Sequence, residues 1–408
     1  MDFTVDPSFE PVRQVVGWLG KEYLRPLGIE ADRQHAPLSA DHPFFVTAIK
    51  KGLTGGFTGK VKDWDKPARK DDGRARRTAR RAVVLGEEAA YWDRGMATML
   101  PGPGLGGAPV MFTGTPEQKK RFLGPFQKMR TPMWAAFGMS EPDAGSDVAR
   151  IRTRAVRDGD EFVLNGEKCF ISNGDRAAFT VIWATIDPSL GRAGHRPIVV
   201  EAGTPGFHVA KVERKMGLAA SATASLVLQD CRVPVANLLG GEAAYASNEG
   251  FKSAMKTFNM TRPIVAAMAV GIGRACFDET QRFAKTAFTG PSAWRMDRVR
   301  DRLAHVRRRL ECGRLLAWKA AWQADHRQDN AVAAAIAKAT CAQIAFEAAS
   351  MSLDVLGEAG GAGDELIEKL YRDVKALDIV EGTGQIQRIV IARRLIGLGK
   401  APPEATHA

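Results

Sequence analysis

The spacing of apolar positions changes twice along the chain. Up to about residue 133 it is helical. Val12, Val15, Val16 and Leu19 share one face, and Ala82 to Met99 reads as a strong apolar-rich helix. From about 134 to 240, short β-type runs alternate with turn signals: Phe162–Leu164, Thr180–Ala184, Pro197–Val200, Phe207–Val212 and Ala224–Leu228. Asn165-Gly166, set between apolar runs, predicts a hairpin. After Gly250 the helical period returns in four long segments, about 250–286, 292–326, 330–357 and 364–397, with large apolar residues spaced for bundle packing. Pro291 and Gly357–Gly363 punctuate them, and the tail Ala401–Ala408 is expected to fray.

Two stretches break the pattern. Thr54 to Arg69 is Gly-rich and charged without periodicity, a surface loop by expectation. Gly102-Pro103-Gly104-Leu105-Gly106-Gly107 matches G-x-G-x-x-G, but it follows a helix and contains a proline, so it fails the context of a dinucleotide fingerprint. It reads as a breaker loop that opens space beside the preceding helix. Arg74, Arg76, Arg77, Arg80 and Arg81 form a basic helical face, expected to be solvated because no aromatic platform is interleaved.

Bulk properties narrow the class. A chain of 408 residues with 45% hydrophobic and 25% charged content is globular and long enough for two or three domains. No apolar run is expected to span a bilayer. Met1–Pro7 lacks the features of a secretory signal. Cys169, Cys231, Cys276, Cys312 and Cys341 are scattered and odd in number, the pattern of reduced thiols in a cytoplasm. The seven histidines show no ligand spacing, so no metal is expected. The net charge of +12 favours polyanionic or phosphate-bearing partners without choosing among them.

Candidate chemistry concentrates between Leu377 and Arg394. Glu381 follows an apolar run, Gly382, Thr383 and Gly384 interrupt it, and Ile386, Ile389, Val390 and Leu395 resume a helix. A carboxylate held among apolar neighbours at a helix break has its pKa raised towards neutrality, which suits a general base. Taken alone, the same residues also fit a capping acid at a helix end.

Four separated blocks decide between these readings. They are Ser140-Glu141-Pro142-Asp143-Ala144-Gly145-Ser146-Asp147-Val148, Asn165–Gly174, Phe258-Asn259-Met260-Thr261-Arg262-Pro263 and Val380–Arg388. In this order and spacing the chain resembles the acyl-CoA dehydrogenase family of flavoproteins, its medium-chain branch in particular. The resemblance implies an α+β multidomain fold: an N-terminal α-helical domain (1–133), a middle β-barrel or sandwich domain (134–245) and a C-terminal four-helix bundle (246–408). It also implies FAD, an acyl-CoA substrate, an electron-transfer flavoprotein or similar acceptor, and a homo-oligomer (tetramer or dimer) or heteromer. Glu381 takes the place of the base that removes the α proton of the thioester, while flavin N5 accepts a hydride from the β carbon. Arg262 matches an arginine beside that base. Where some relatives carry the base on the first long C-terminal helix, this chain has Thr261. Phe137, Met139, Ser140, Gly145, Ser146, Phe170 and Ser172 match flavin and coenzyme A contacts. Thr383 and Gln385 match contacts to the adenine half of FAD, and Lys285 and Phe288 are the nearest matches to a pyrophosphate grip. Ser146, Phe258, Asn259, Arg262, Glu381 and Gly382 are the implied substrate contacts.

The chain also departs from the family pattern. Asp354 stands where the flavin phosphates are expected and would repel them. The Pro-Gly break at Leu100–Gly104 predicts a wider pocket for a branched, cyclic or polyketide-like acyl group. Two other readings compete: a partner subunit of a heteromeric dehydrogenase, and a nucleic-acid-binding member of the superfamily, motivated by the arginines at 74–81 and 298–309.

Overall fold

The computed structural model describes residues 3–55, 77–247, 250–289, 292, 294–362 and 366–397. Most of the loop expected over Thr54–Arg69, together with Arg74, Arg76, Pro291 and the tail, lies outside them. The helices are α1 (Glu10–Leu19), α2 (Arg25–Gln34), α3 (Pro43–Lys50), α4 (Thr78–Met99), α5 (Gly104–Thr113), α6 (Pro116–Gln127), α7 (Gly241–Ala246), α8 (Gly250–Ala287), α9 (Trp294–Asp325), α10 (Ala331–Leu356), α11 (Glu358–Gly361), α12 (Leu366–Ile379) and α13 (Gly384–Leu395). The strands are β1 (Trp134–Gly138), β2 (Arg154–Asp158), β3 (Glu161–Ser172), β4 (Ala177–Thr185), β5 (His195–Glu201), β6 (Phe207–Val212) and β7 (Thr223–Pro234). The fold is therefore mixed α+β, with helices before the sheet and a helical domain after it.

The chain forms two compact units interleaved in sequence. One comprises Met1–Glu22, Arg74–Arg94 and Phe258–Ala408, the other Tyr23–Gly73 and Gly95–Thr257. In the first, Ala266 and Val270 of α8, Leu303 and Leu310 of α9, Ile344 of α10 and Leu370 of α12 bury one contiguous core. Each fully buried large side chain contributes about 1.5–3 kcal/mol. By length and composition Phe258–Ala287 and Ala331–Leu356 are apolar enough to cross a bilayer, contrary to expectation. Their most apolar windows are 72% and 61% buried, as core helices are.

The fourth long helical segment is two helices, broken between Ile379 and Gly384, where the sequence places a helix break. Two further local findings go beyond the sequence reading. Arg80 is not a solvated charge: it pairs with buried Asp325, which also accepts the backbone N–H groups of Ala79 and Arg80 and so caps the start of α4. Within α4, Asp93 leaves helical geometry (φ −162°, ψ 116°). Its buried carboxylate pairs with Lys369, which also pairs with Asp373.

The second unit is built on a seven-stranded sheet in the order β1-β4-β2-β3-β7-β6, with β5 pairing β4. β1 and β2 run parallel to β4, and the other pairs are antiparallel. Asn165-Gly166 makes no hairpin. It lies inside β3 as a bulge, with Gly166 at φ +150° and a register shift against β7. The actual β2–β3 turn is made at Gly159 (φ +60°). The Gly-rich stretch from Gly102 opens no space either. A Cβ on Gly106 would sit 2.6 Å from the Ala136 carbonyl oxygen, and one on Gly102 2.0 Å from that of Gly55. Backbone fills the room those side chains would take.

Candidate active site

The break after α12 builds the site in the first unit. Glu381 holds φ +55° and Gly382 φ +92°, and the chain restarts as α13 behind Thr383, whose hydroxyl accepts the Ile386 N–H at 3.3 Å. A side-chain-bearing residue in the left-handed region costs about 1–2 kcal/mol, so glycine would be the relaxed choice here. Strain of this kind persists where neighbours enforce it, and it gathers at working sites.

Those neighbours are identifiable. Arg262 Nε donates to the Glu381 carbonyl at 3.3 Å, and Gln387 Nε2 donates to the carbonyls of Glu381 and Gly382 at 3.3 and 3.1 Å. Thr261 Oγ1 donates to Glu381 Oε2 at 2.6 Å. Arg262 Nη1 also donates to Asn259 Oδ1 at 3.2 Å, and its guanidinium lies 5.6 Å from the Phe258 ring centre. One stretch of α8 thus brings Thr261 and Arg262 to Glu381, with Phe258 and Asn259 against the Arg262 guanidinium.

The electrostatics follow from this enclosure. Desolvation raises the Glu381 pKa above its ordinary 4.5, while the Thr261 hydrogen bond and the charges of Arg262, Arg94 and Lys338 pull the other way. Burial also lowers the pKa of Arg262, against the attraction of Glu381. The result is a carboxyl group that exchanges a proton more readily near neutrality than an exposed glutamate, with cations close by to receive negative charge.

Sequence reasoning passed over Lys338, Arg94 and Gln387. A single lysine inside the Ala-rich run from Ala331 was the available signal for the first, since a cation on an apolar helix is either paired or functional. Gln387 is fully buried in α13 but stands among polar neighbours such as Gln385 and Arg388, so the sequence carried no comparable signal for it.

In the second unit, Phe137 lies one residue before the end of β1, Met139 is buried and Ser140 follows it. The Glu141 carboxylate accepts the N–H groups of Arg152 (2.6 Å) and Thr153 (3.0 Å), the Thr153 hydroxyl (2.6 Å) and the Lys168 ammonium (2.7 Å). Lys168 reaches the Met139 carbonyl as well, and Cys169 N–H donates to the Ser140 carbonyl at 2.9 Å. These bonds fasten the 139–141 segment to β3 beside Phe170. Phe170 is 67% exposed at φ +59°, within a second register shift of β3. An aromatic ring held out of the core by its own backbone, with half-buried Ser140 bonded to the neighbouring Cys169, half-buried Ser172 two residues on, and Gly145 and Ser146 exposed, fits the planar ring system and polar edge of a flavin.

The remaining candidates are placed less tellingly. Thr383 spends its hydroxyl on capping α13, and Gln385 is exposed on the first turn of that helix. Lys285 is exposed near the end of α8, while Phe288 packs edge-on against Phe283 at 6.0 Å on the border of the bundle core. Asp354 is paired with Arg302 at 2.7 Å, which offsets the repulsion expected of it.

The helical, sheet and helical segments in this order, with a buried-carboxyl turn at Glu381, agree with the flavin-linked acyl-CoA dehydrogenases, the family whose domains the chain matches. Residues 248–396 match the acyl-CoA dehydrogenase C-terminal domain and residues 136–231 the acyl-CoA dehydrogenase middle domain. The chain is 33% identical to an acryloyl-CoA reductase (NADH) of Anaerotignum propionicum over 97% of its own length and 96% of the relative's. It is 36% identical to a cyclohexane-1-carbonyl-CoA dehydrogenase of Syntrophus aciditrophicus, over 76% and 79% of the two chains. Among solved structures it superposes on butyryl-CoA dehydrogenase from Megasphaera elsdenii with a TM-score of 0.85, at 31% identity and covering 97% and 100%. The chain belongs to the acyl-CoA dehydrogenase family and is an FAD-dependent oxidoreductase acting on CH–CH groups.

Proposed function

We infer that the enzyme removes the α proton of an acyl-CoA thioester with Glu381 and releases the trans-2-enoyl-CoA. The observation that carries this reading is the Glu381 carboxyl itself, kept in a strained turn, desolvated and bonded to Thr261. FAD, when bound, supplies the acceptor for the hydride leaving the β carbon. Phe137, Met139, Ser140, Gly145, Ser146, Phe170 and Ser172 would hold its ring system and the nearby thioester. Thr383, Gln385, Lys285 and Phe288 would serve its adenine and phosphate portion. Ionised Glu381 takes the α proton. The cations Arg262, Arg94 and Lys338 then offset the change in charge as the carboxylate becomes neutral and the thioester gains electron density. Phe258, Asn259, Arg262 and Gly382 complete the substrate contacts.

A bulky or cyclic acyl group is the substrate reading we favour. It rests on the relatives named for cyclohexane-1-carbonyl-CoA, since the glycines from Gly102 no longer support it. An electron-transfer flavoprotein is the proposed acceptor, and a homotetramer the proposed assembly. A relative that matches over 97% of this chain is named a reductase, so the same residues are also proposed to work in the reverse direction. The test is anaerobic bleaching of bound flavin by a panel of straight-chain and cyclic acyl-CoAs. Bleaching that Glu381→Gln abolishes is expected, and bleaching that survives the substitution overturns the assignment of the base.

A further inference from the structure

Lys338 stands in the middle of α10, fully buried, with its ammonium donating to the Asp378 carbonyl at 2.7 Å. That carbonyl belongs to the last turn of α12, where helix oxygens have no N–H partner of their own. It lies three residues before Glu381. Burying an ammonium for one carbonyl is expensive if capping is the whole purpose, because a packed apolar residue or a water-exposed end would serve. The groups that interact with it are the reason to keep it. Asp378 and Glu381 attract its charge and Arg262 opposes it, while burial pulls its pKa down to about 8.

We propose that Lys338 is a positioning residue for the base: it fixes the end of the helix that delivers Glu381 and holds a positive charge under the carboxylate. The proposal rests on Glu381 being the base. Glu381 is faced from α8 by Thr261 and Arg262, from α4 by Arg94 and from α10 by Lys338. Thr261 and Arg262 lie beside the carboxyl and backbone of Glu381, and Gln387 on α13 holds the turn without charge. Lys338 is the cation that also grips the helix end, so its removal changes both the charge and the aim of the base.

The experiment compares Lys338→Met and Lys338→Arg with the wild-type holoenzyme in single-turnover flavin reduction from pH 5 to pH 9. Lys338→Met is expected to move the acid limb of the profile upward by about one unit, an approximately tenfold loss of rate on its acid side. Lys338→Arg, which keeps the charge, should stay close to wild type. Infrared difference spectra against Glu381→Gln give an independent readout: the protonated-carboxyl band of Glu381 should persist to higher pH in the Met variant. An unmoved limb and band with only a lower melting temperature would reduce Lys338 to packing and overturn the proposal. So would an equal upward shift in the Arg variant. Failure of the base assignment is separate, because it would appear as flavin reduction by Glu381→Gln itself.

Discussion

The Thr261 hydroxyl donates a 2.6 Å hydrogen bond to Oε2 of Glu381, joining α8 to the turn between α12 and α13. This bond favours the ionised carboxyl and lowers a pKa that burial raises. Thr261→Val keeps the shape of the side chain and removes the donor. The acid limb of the pH–rate profile should move upward, with a loss of about tenfold below it and rates converging above it. A uniform loss at every pH would mean that packing alone was disturbed.

The raised pKa of Glu381 also has a sign in stability. A carboxyl whose folded-state pKa exceeds its unfolded value of 4.5 contributes stability below about that pH, and loses it as pH rises through the folded value. Glu381→Gln carries no such dependence. Its stability relative to wild type should therefore increase on passing from pH 4.5 to pH 8, as read from urea midpoints. A constant difference across that window would show that the carboxyl is not desolvated.

Phe170 spends little of its ring on the core, so truncating it tests ligand binding with small risk to folding. Phe170→Ala should leave the melting temperature of the FAD-free protein within a degree or two. FAD affinity should fall by roughly threefold to tenfold, the worth of one aromatic stacking contact, as measured by quenching of flavin fluorescence. An unchanged affinity would remove Phe170 from the flavin site.

Gly106 faces the backbone of β1 so closely that no methyl group fits. Gly106→Ala should destabilise the sheet-containing unit by about 1–3 kcal/mol through forced backbone movement. Thermal melts check this, and a neutral substitution would reopen the idea that this loop borders free space.

That Arg262 lies beside Glu381 was legible because both sit in short runs whose order and spacing resemble the family's, and the contact of Arg262 with the Glu381 carbonyl agrees with it. Five strands were legible for a simpler reason: apolar, β-branched and aromatic residues cluster in them, buried in β3, β4, β5 and β7 though largely exposed in β6. Asn165-Gly166 misled because Asn-Gly turns and Gly-centred bulges share the same need for a positive φ, and only pairing across to β7 tells them apart. The interleaving of the two compact units was hidden, since the helical pattern of α4 and α8 continues across a unit boundary in the sequence, even where Asp93 interrupts the geometry of α4. Lys338 and Arg94 escaped because their significance comes from residues 40 or more positions away.

The departure from helical geometry at Asp93 carries its own consequence. Burial would pull the pKa of Lys369 down, yet the carboxylates of Asp373 and Asp93 more than reverse this and keep the amine charged. One ammonium thus answers two sequestered acids from distant parts of the chain. A neutral residue at 369 would take from both acids the ammonium they share, whereas a neutral residue at 93 would leave the 369–373 pair intact. Substitution drifting through this region is therefore directional: loss of Asp93 removes one ion pair, loss of Lys369 removes two.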